Sequence, residues 1–415
     1  MAGKAKKLTN VTEQTGEEPS VIYETNLGKM YCGDTLALLD GPHGKSLQGT
    51  AQLVLTSPPF PLNAKKRYGN LQGEEYIEWF AGFAPKLSDL LTPDGSIVIE
   101  IGNAWESGRP VMSTVVLRAL LRFLEEANLN LCQEFVWYNP ARLPSPVQWV
   151  NVERIRVKDA FSKIWWMSPV DRPKADNRRI LKAYSSSMKR LIETGKYNSG
   201  KRPSEHNIGK DSFKTDNSGA IPPNVGGGDD APTLGTLLKG TNTKSNEQYQ
   251  TFCRERDIAL HPARMPSDLV EFFVKFLTEE GDLVFDPFGG SNTTGAVAEQ
   301  LDRRWVSCEA KLEYVTSSLG RFDPIARKLV TDVELSLHAA PQPRAPPAGR
   351  PPPAALSELG LLSSRLDAPG VEVLDRWHDQ YAAALDHLPL AVVAVAPAIL
   401  ALTQEDGGHR VALAG

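Results

Sequence analysis

No CxxC pair occurs in this 415-residue chain, and its four cysteines, Cys32, Cys132, Cys253 and Cys308, are scattered. That argues against a zinc site of this type and against a disulfide framework, so no metal is expected and a cytoplasmic, reducing setting fits. The opening "MAGKAKKLTN" is basic but lacks the apolar core of a signal peptide. The late apolar stretch "LPLAVVAVAPAILAL" (Leu388–Leu402) is interrupted by Pro397. It falls short of the about 20 residues that a membrane span needs and reads as a packed helix or strand. Phosphate-binding signatures are missing as well. There is no GxxxxGK, which excludes a P-loop, and no GxGxxG, which argues against a nicotinamide-dependent oxidoreductase.

What the chain does have is 41% hydrophobic and 23% charged residues, enough for a sizeable core in two or three units. The net charge of −4 hides an asymmetry: from Asn151 to Thr215 there are 16 Lys and Arg against 7 Asp and Glu. A basic segment inside an otherwise acidic protein fits a polyanion such as DNA, although a solvated face accounts for the charge equally well.

Strands alternate with helices in the first third, which predicts an α/β sheet. "VIYETNLGKMYCGDTLALL" reads as strand, turn and helix start, with Asp34 as the cap. "AQLVL" is a buried strand, and "YIEWFAGFAPKLSDLL" a helix with Ile77, Phe80, Phe83 and Leu87 on one face. "TPDGSIVIEIGN" is a turn and a strand, "RPVMSTVVLRALLRFLEEAN" a helix, and "LCQEFVWYNP" a strand. The stretch from Pro144 to Gln250 is basic, loop-rich and weakly periodic and reads as an insertion. Trp165 and Trp166 near its start read as packing residues more readily than as base contacts. The α/β pattern resumes at "HPARMPSDLVEFF", and "PQPRAPPAGRPPPAAL" is a semi-rigid linker. The expected organisation is a mobile 1–20, a first half-domain 21–143, an inserted region 144–255, a second half-domain 256–328, a linker 329–355 and an extension 356–415 with helical segments around "VEVLDRWHDQYAAALDHL".

Two stretches carry chemistry. In "LVFDPFGGSNTTGAVAEQ" a strand ends at Asp286, and Gly289 and Gly290 allow close approach of a ligand before a helix opened by Ser291, Thr293 and Thr294. The next strand ends at Glu309, where an acid commonly binds ribose hydroxyls. Asp286 would repel a pyrophosphate and suits a cation, which favours S-adenosylmethionine over NAD as the ligand; a tight packing turn is the plainer alternative. The second stretch is "TSPPF". Prolines 58 and 59 stiffen the backbone and free their carbonyls, Ser57 adds a hydroxyl, and Phe60 offers a ring. Acceptors beside a stacking face suit an exocyclic amine on a planar base, whereas a strand-breaking loop would use the same residues.

The two stretches together, (D/N/S)PP(Y/F/W) first and the glycine motif more than 200 residues later, resemble the amino-methylating DNA methyltransferases of the permuted β group. The resemblance covers roughly Val21 to Phe322. It implies a Rossmann-like, circularly permuted methyltransferase sheet with an inserted DNA target-recognition region, and S-adenosylmethionine as cofactor. It places the catalytic motif at Ser57, Pro58, Pro59 and Phe60, and Asp34 near the adenine of the cofactor. His261 and Pro262 would start the helix before the cofactor strand. Asp286 would lie near the methionine amino group and Glu309 at the ribose, with Pro287, Phe288, Gly289, Gly290, Ser291 and Thr293 also binding the cofactor. Asn292 departs from the family's usual glycine, which puts the detail of that turn in question. Ser57 in "TSPPFPLNAKKRYGN" resembles the N4-cytosine enzymes of restriction–modification systems. The implied partners are double-stranded DNA and a restriction endonuclease of the same specificity, and the implied assembly is a monomer or homodimer with no membrane. N6-adenine methylation and a non-catalytic DNA-binding regulator remain alternatives. Glu100, a charge in the apolar strand "SIVIEIGN", reads either as a proton acceptor or as a paired strand-end residue. Lys65, Lys66 and Arg67 follow the motif and read as a phosphate clamp or a solvated loop.

Overall fold

The computed structural model describes residues 19–61, 71–139, 142–196, 200–201, 203–205, 207–209, 213–226, 242–323, 328–330, 392–395, 398–405 and 408–414. Two compact units emerge, Met1–Ala340 and Pro341–Gly415.

The first unit is built on one sheet. In chain order its strands are β1 (Ser20–Glu24), β2 (Gly28–Cys32), β3 (Ala51–Thr56), β4 (Leu91–Gly102), β5 (Asn130–Tyr138) and β6 (Phe161–Ser168). A separate hairpin pairs β7 (Gly200–Lys201) with β8 (Asn207–Ile208). The main sheet continues with β9 (Val225–Gly226), β10 (Leu283–Asp286), β11 (Arg304–Glu309) and β12 (Lys328–Leu329). Their spatial order is β12-β1-β2-β11-β10-β3-β4-β6-β5-β9. Strands β2, β11, β10, β3 and β4 run parallel, so their C-terminal ends share one edge. β6 is antiparallel to both β4 and β5, which turns the sheet back.

Helices cover both faces, and strand alternation decides which side chain meets which layer. Leu53, Leu55, Val98, Trp166 and Val284 pack on one side with Phe272, Phe273 and Val274 of α8 (Ser267–Leu277) and Val297 of α9 (Thr293–Gln300). Val54, Ile97, Ile99, Trp165 and Phe285 pack on the other, against α3 (Gly73–Ala81), α4 (Ala84–Asp89) and α5 (Val115–Glu126). Each fully buried side chain of this kind contributes about 1.5–3 kcal/mol. The remaining helices are α1 (Thr35–Asp40), α2 (Pro42–Leu47), α6 (Ser186–Thr194), α7 (Asn242–Glu255) and α10 (Leu312–Ser318).

Several expectations change. The single helix over "YIEWFAGFAPKLSDLL" is two, broken at Gly82–Phe83, because Pro85 lacks an N–H and is tolerated only in a first turn. Its apolar face survives the break: Ile77, Phe80, Phe83 and Leu87 are all buried. The turn in "TPDGSIVIEIGN" is instead an irregularity inside β4, where the register against β3 shifts between Leu91 and Ser96. The boundary at residue 144 cuts through the sheet, since β6 lies between β4 and β5. The basic flanks concealed a strand whose Ile164, Trp165 and Trp166 are buried on both faces. Trp166 also donates from Nε1 to Ser96 Oγ at 2.9 Å, so both tryptophans are packing residues. α7, inside the same expected insertion, buries Tyr249, Phe252 and Cys253 in the core. At the far end, β12 pairs with β1 and runs past the expected boundary at 328.

In the second unit β13 (Val392–Val395), β14 (Ala398–Glu405) and β15 (Gly408–Ala414) form an antiparallel sheet, so the described residues of the apolar stretch 388–402 are strand. The helical segments expected around 371–388, the linker from residue 331 and the mobile 1–18 lie outside the described residues. Among the described residues, no helix is long and apolar enough to cross a membrane.

Candidate active site

The two motifs meet at one sheet edge. β3 and β10 are parallel neighbours, and the last residue of β3, Thr56, donates from Oγ1 to Asp286 Oδ1 at 2.7 Å. Thr294 Oγ1, in the first turn of α9, donates to Asp286 Oδ2 at 2.7 Å, and the Phe288 amide to Oδ1 at 3.0 Å. Asp286 is thus a buried tie between β3, the glycine turn and the helix that follows. Burial pushes its carboxyl above the usual range, and these three donors pull it back.

The glycine turn is pinned from several sides. The Gly289 amide donates to Cys308 O at 2.8 Å and the Gly290 amide to Glu309 Oε2 at 3.0 Å. Gly290 sits at φ +52, and a methyl group there would come within 3.2 Å of the His261 ring. A methyl on Gly289 would press on Ser307 and Met30 at 3.2–3.3 Å. Thr35 Oγ1 donates to Pro287 O, which ties the turn to α1. Phe288 packs edge-on against Phe83, with ring centroids 5.1 Å apart. Asn292 adopts φ 53 and caps α9, its Oδ1 accepting from Gly295 N at 3.0 Å and Ser307 Oγ at 2.8 Å, while Nδ2 donates to Tyr23 at 3.0 Å. The left-handed conformation that glycine usually supplies is one asparagine also tolerates, so the departure from the family pattern keeps the turn and adds a cap. Ser291 and Thr293 are buried beside it.

Glu309 closes β11, with its second oxygen accepting from the Lys311 amide at 2.9 Å. Burial, then the nearby Asp286 charge, pushes its carboxyl up. Asp34 is exposed and caps α1 through Ala37 N at 2.9 Å, one residue after Gly33, whose amide donates to Glu309 O at 3.1 Å. His261 and Pro262 do not start α8, which begins at Ser267 behind a Pro266 cap; they lie in the loop before it. The His261 ring still reaches the turn, standing edge-on to Tyr314 at 4.3 Å.

On the neighbouring strand, Glu100 is buried, and the hydroxyls of Ser57 and of Ser162 on β6 lie near enough to lower its pKa. Burial raises its pKa most, and the two hydroxyls and the Arg142 charge oppose that rise. Arg142 in turn donates to Ser162 Oγ and Phe161 O, so the carboxyl is held by a partner chain running outward. Pro58 is buried, Pro59 and Phe60 half-buried, and the Phe60 ring fills the space that the missing side chain of Gly102 leaves. Lys65, Lys66 and Arg67 lie outside the described residues. Among the described residues, no cluster of His, Cys, Asp and Glu could hold a metal.

The family pattern for DNA methylases of the N6/N4 type matches residues 51–319, both motifs included. The chain belongs to this DNA methylase family. The methylase is 46% identical over 322 residues to the Type II methyltransferase M.PvuII of Proteus hauseri, covering 77% of this chain and 90% of that protein. It is 25% identical over 333 residues to the Type II methyltransferase M.ScaI of Streptomyces caespitosus, covering 79% and 91%. Among solved structures it matches PvuII DNA methyltransferase (cytosine-N4-specific) with a TM-score of 0.55 and 38% identity, over 74% of this chain and 90% of that one.

The methylase also uses residues that sequence reasoning missed. Buried Arg321 donates to Ser291 O at 2.6 Å and Ser291 Oγ at 2.9 Å, and its guanidinium lies 4.5 Å from the Tyr249 ring centre. Burial pushes its pKa down to about 10. Tyr249 accepts from the His261 amide at 3.0 Å, so one tyrosine braces both supports of the turn. Thr56 and Thr294 flank the motifs and carry a visible signal, a hydroxyl beside each. Arg321, Tyr249 and Ser162 lie far away in sequence and carry none.

Proposed function

We propose that this site transfers a methyl group from S-adenosylmethionine to N4 of a cytosine turned out of double-stranded DNA. The observation that carries the reading is the 2.7 Å bond from Thr56 to Asp286, which sets Ser57 directly beside the glycine turn. The cradle fits the cofactor. Gly289 and Gly290 pack so closely on Ser307, Met30 and the His261 ring that the turn admits no side chain, while Asp286 supplies negative charge toward the methionine end and Glu309 an acceptor toward the ribose. Once bound, the cofactor supplies an electrophilic methyl group.

The chain's own groups do the rest. A cytosine inside a duplex is out of reach, so it must be everted. Phe60 provides the stacking face. The Ser57 hydroxyl lies near enough to Glu100 to lower its pKa; donating its proton there would leave a lone pair for N4–H. The Pro58 carbonyl is a second acceptor. Both draw the amine away from its planar, delocalised form and free its lone pair for the methyl carbon. As the new N–C bond formed, the methyl–sulfur bond would break with its electron pair left on sulfur, and the N4 proton would pass through Ser57 to Glu100. Proximity of amine and methyl across two adjacent strands supplies much of the rate.

Cytosine is favoured over adenine by serine at the head of the motif and by the likeness to a cytosine-N4-specific enzyme. Likeness to Type II methyltransferases further supports a partnership with a restriction endonuclease of the same specificity, in the cytoplasm. The DNA-reading role falls to the segment between the motifs, outside β6 and α7, with Lys65, Lys66 and Arg67 as a phosphate clamp. The test is incubation with methyl-labelled cofactor and unmethylated DNA, followed by hydrolysis to nucleosides. Label in N4-methylcytosine is expected; label on adenine, or none, would overturn the reading.

A further inference from the structure

Every residue from Asn151 to Lys158 is exposed, including Val152, Ile155 and Val157. Earlier in the same connection Leu143 and Val147 are exposed too, and Val157 is 87% accessible. Single exposed apolar residues are ordinary, but five within fifteen positions are not. They are interspersed with Arg142, Arg154, Arg156 and Lys158, against Glu153 alone.

Topology places this connection at the site. It joins β5 to β6, and its closing pair is Tyr138 with Phe161, next to Ser162 opposite Gly102 at the end of β4. That is the sheet edge from which Ser57 emerges. The connection is also held rather than loose. Asn103 Nδ2 donates to Asp159 Oδ1 at 2.9 Å, and Arg156 reaches Pro110 O with Nε at 3.1 Å and Nη2 at 2.7 Å. The Trp105 and Trp149 rings pack with centroids 5.8 Å apart.

We propose that the connection 142–158 is a DNA wedge: its valines enter the space that the flipped base leaves, and its cations pair with the flanking phosphates. The inference rests on the function proposed above. Charge decides the occupant. A second copy meeting this face about a two-fold axis would set cation against cation, whereas a duplex offers phosphates to the cations and an unstacked apolar gap to the valines.

The test uses the full chain and a duplex carrying 2-aminopurine beside the target base, placed once labelling has mapped the modified position. Wild-type methyl transfer is measured in the same samples, so its absence would sink the function itself, and its presence leaves the wedge separately exposed to test. For Val152→Ser/Val157→Ser, the expected result is at least an about tenfold loss of the fluorescence gain that reports eversion, with cofactor affinity and Tm unchanged. For Arg154→Gln/Lys158→Gln, the slope of log affinity against log salt should fall by roughly 1.8, as for two lost phosphate contacts. Wild-type eversion in the valine variant, or an unchanged salt slope in the cation variant, would overturn the proposal. So would a change in oligomeric mass with DNA behaviour intact, which would assign the face to a second copy.

Discussion

On the function proposed above, the cofactor edge and the substrate edge of the sheet lie on adjacent strands, yet they are built in opposite ways. Around the glycine turn the polar groups are spent on the protein itself. Asp286 takes three donors, Glu309 two, and Arg321, Tyr249 and Asn292 hold the backbone from behind. Around Ser57, the hydroxyl and the Phe60 ring are only half-buried, and a connection with exposed valines borders them. A small ligand that is always the same rewards a rigid mould, because binding then orders nothing further. A base that arrives only after leaving its helix needs groups that are offered rather than spent.

Four substitutions probe that division. Ser57→Ala should strike only the substrate edge: methyl transfer falls by about 10²–10⁴, while equilibrium dialysis finds cofactor affinity nearly unchanged. Parallel loss of both would show that the edges are not separable. Glu100→Gln should cost about 10–100-fold in rate and change the pH profile. Burial raises the pKa of Glu100, so wild-type activity falls as acidification protonates the acceptor, and the glutamine variant loses that limb. Stability moves the other way. The folded pKa lies above the unfolded one, so the charged form weakens the fold at pH values above both, and the variant should melt higher at neutral pH. That advantage disappears below the unfolded value. A variant that melts lower at neutral pH contradicts the burial argument.

Arg321→Met should raise the cofactor KM about tenfold, because it removes two charge-assisted bonds to the turn, and leave kcat close to wild type, with Arg321→Lys restoring part of the loss. An effect on kcat alone would move Arg321 to the substrate edge. Asn292→Ala should be the smallest, about 1 kcal/mol by chemical denaturation for a lost cap. Asn292→Gly should lose less, since glycine keeps the left-handed backbone.

Much of this was legible in the chain. Asp286 and Glu309 end apolar runs, and the hydroxyl, prolines and ring of "TSPPF" stand at a strand exit, so local pattern alone located both motifs. β6 was hidden because its flanks are basic and loop-rich, and pairing between two distant strands made it central. His261 was expected at the start of α8, but Pro266 caps that helix and Ser267 begins it, six positions further on. Arg321 left no trace because its partner, Ser291, lies thirty residues away, and neither the serine carbonyl nor its hydroxyl marks which distant cation will reach it.

The Thr56–Asp286 bond spans 230 positions of chain. A ribosome must therefore release nearly three hundred residues before the two motifs can join, and the nascent polypeptide carries a finished catalytic motif long before it can use it. On the proposed assignment, activity can arise only late in synthesis, once Glu309 and Arg321 have followed Thr294 and closed the turn.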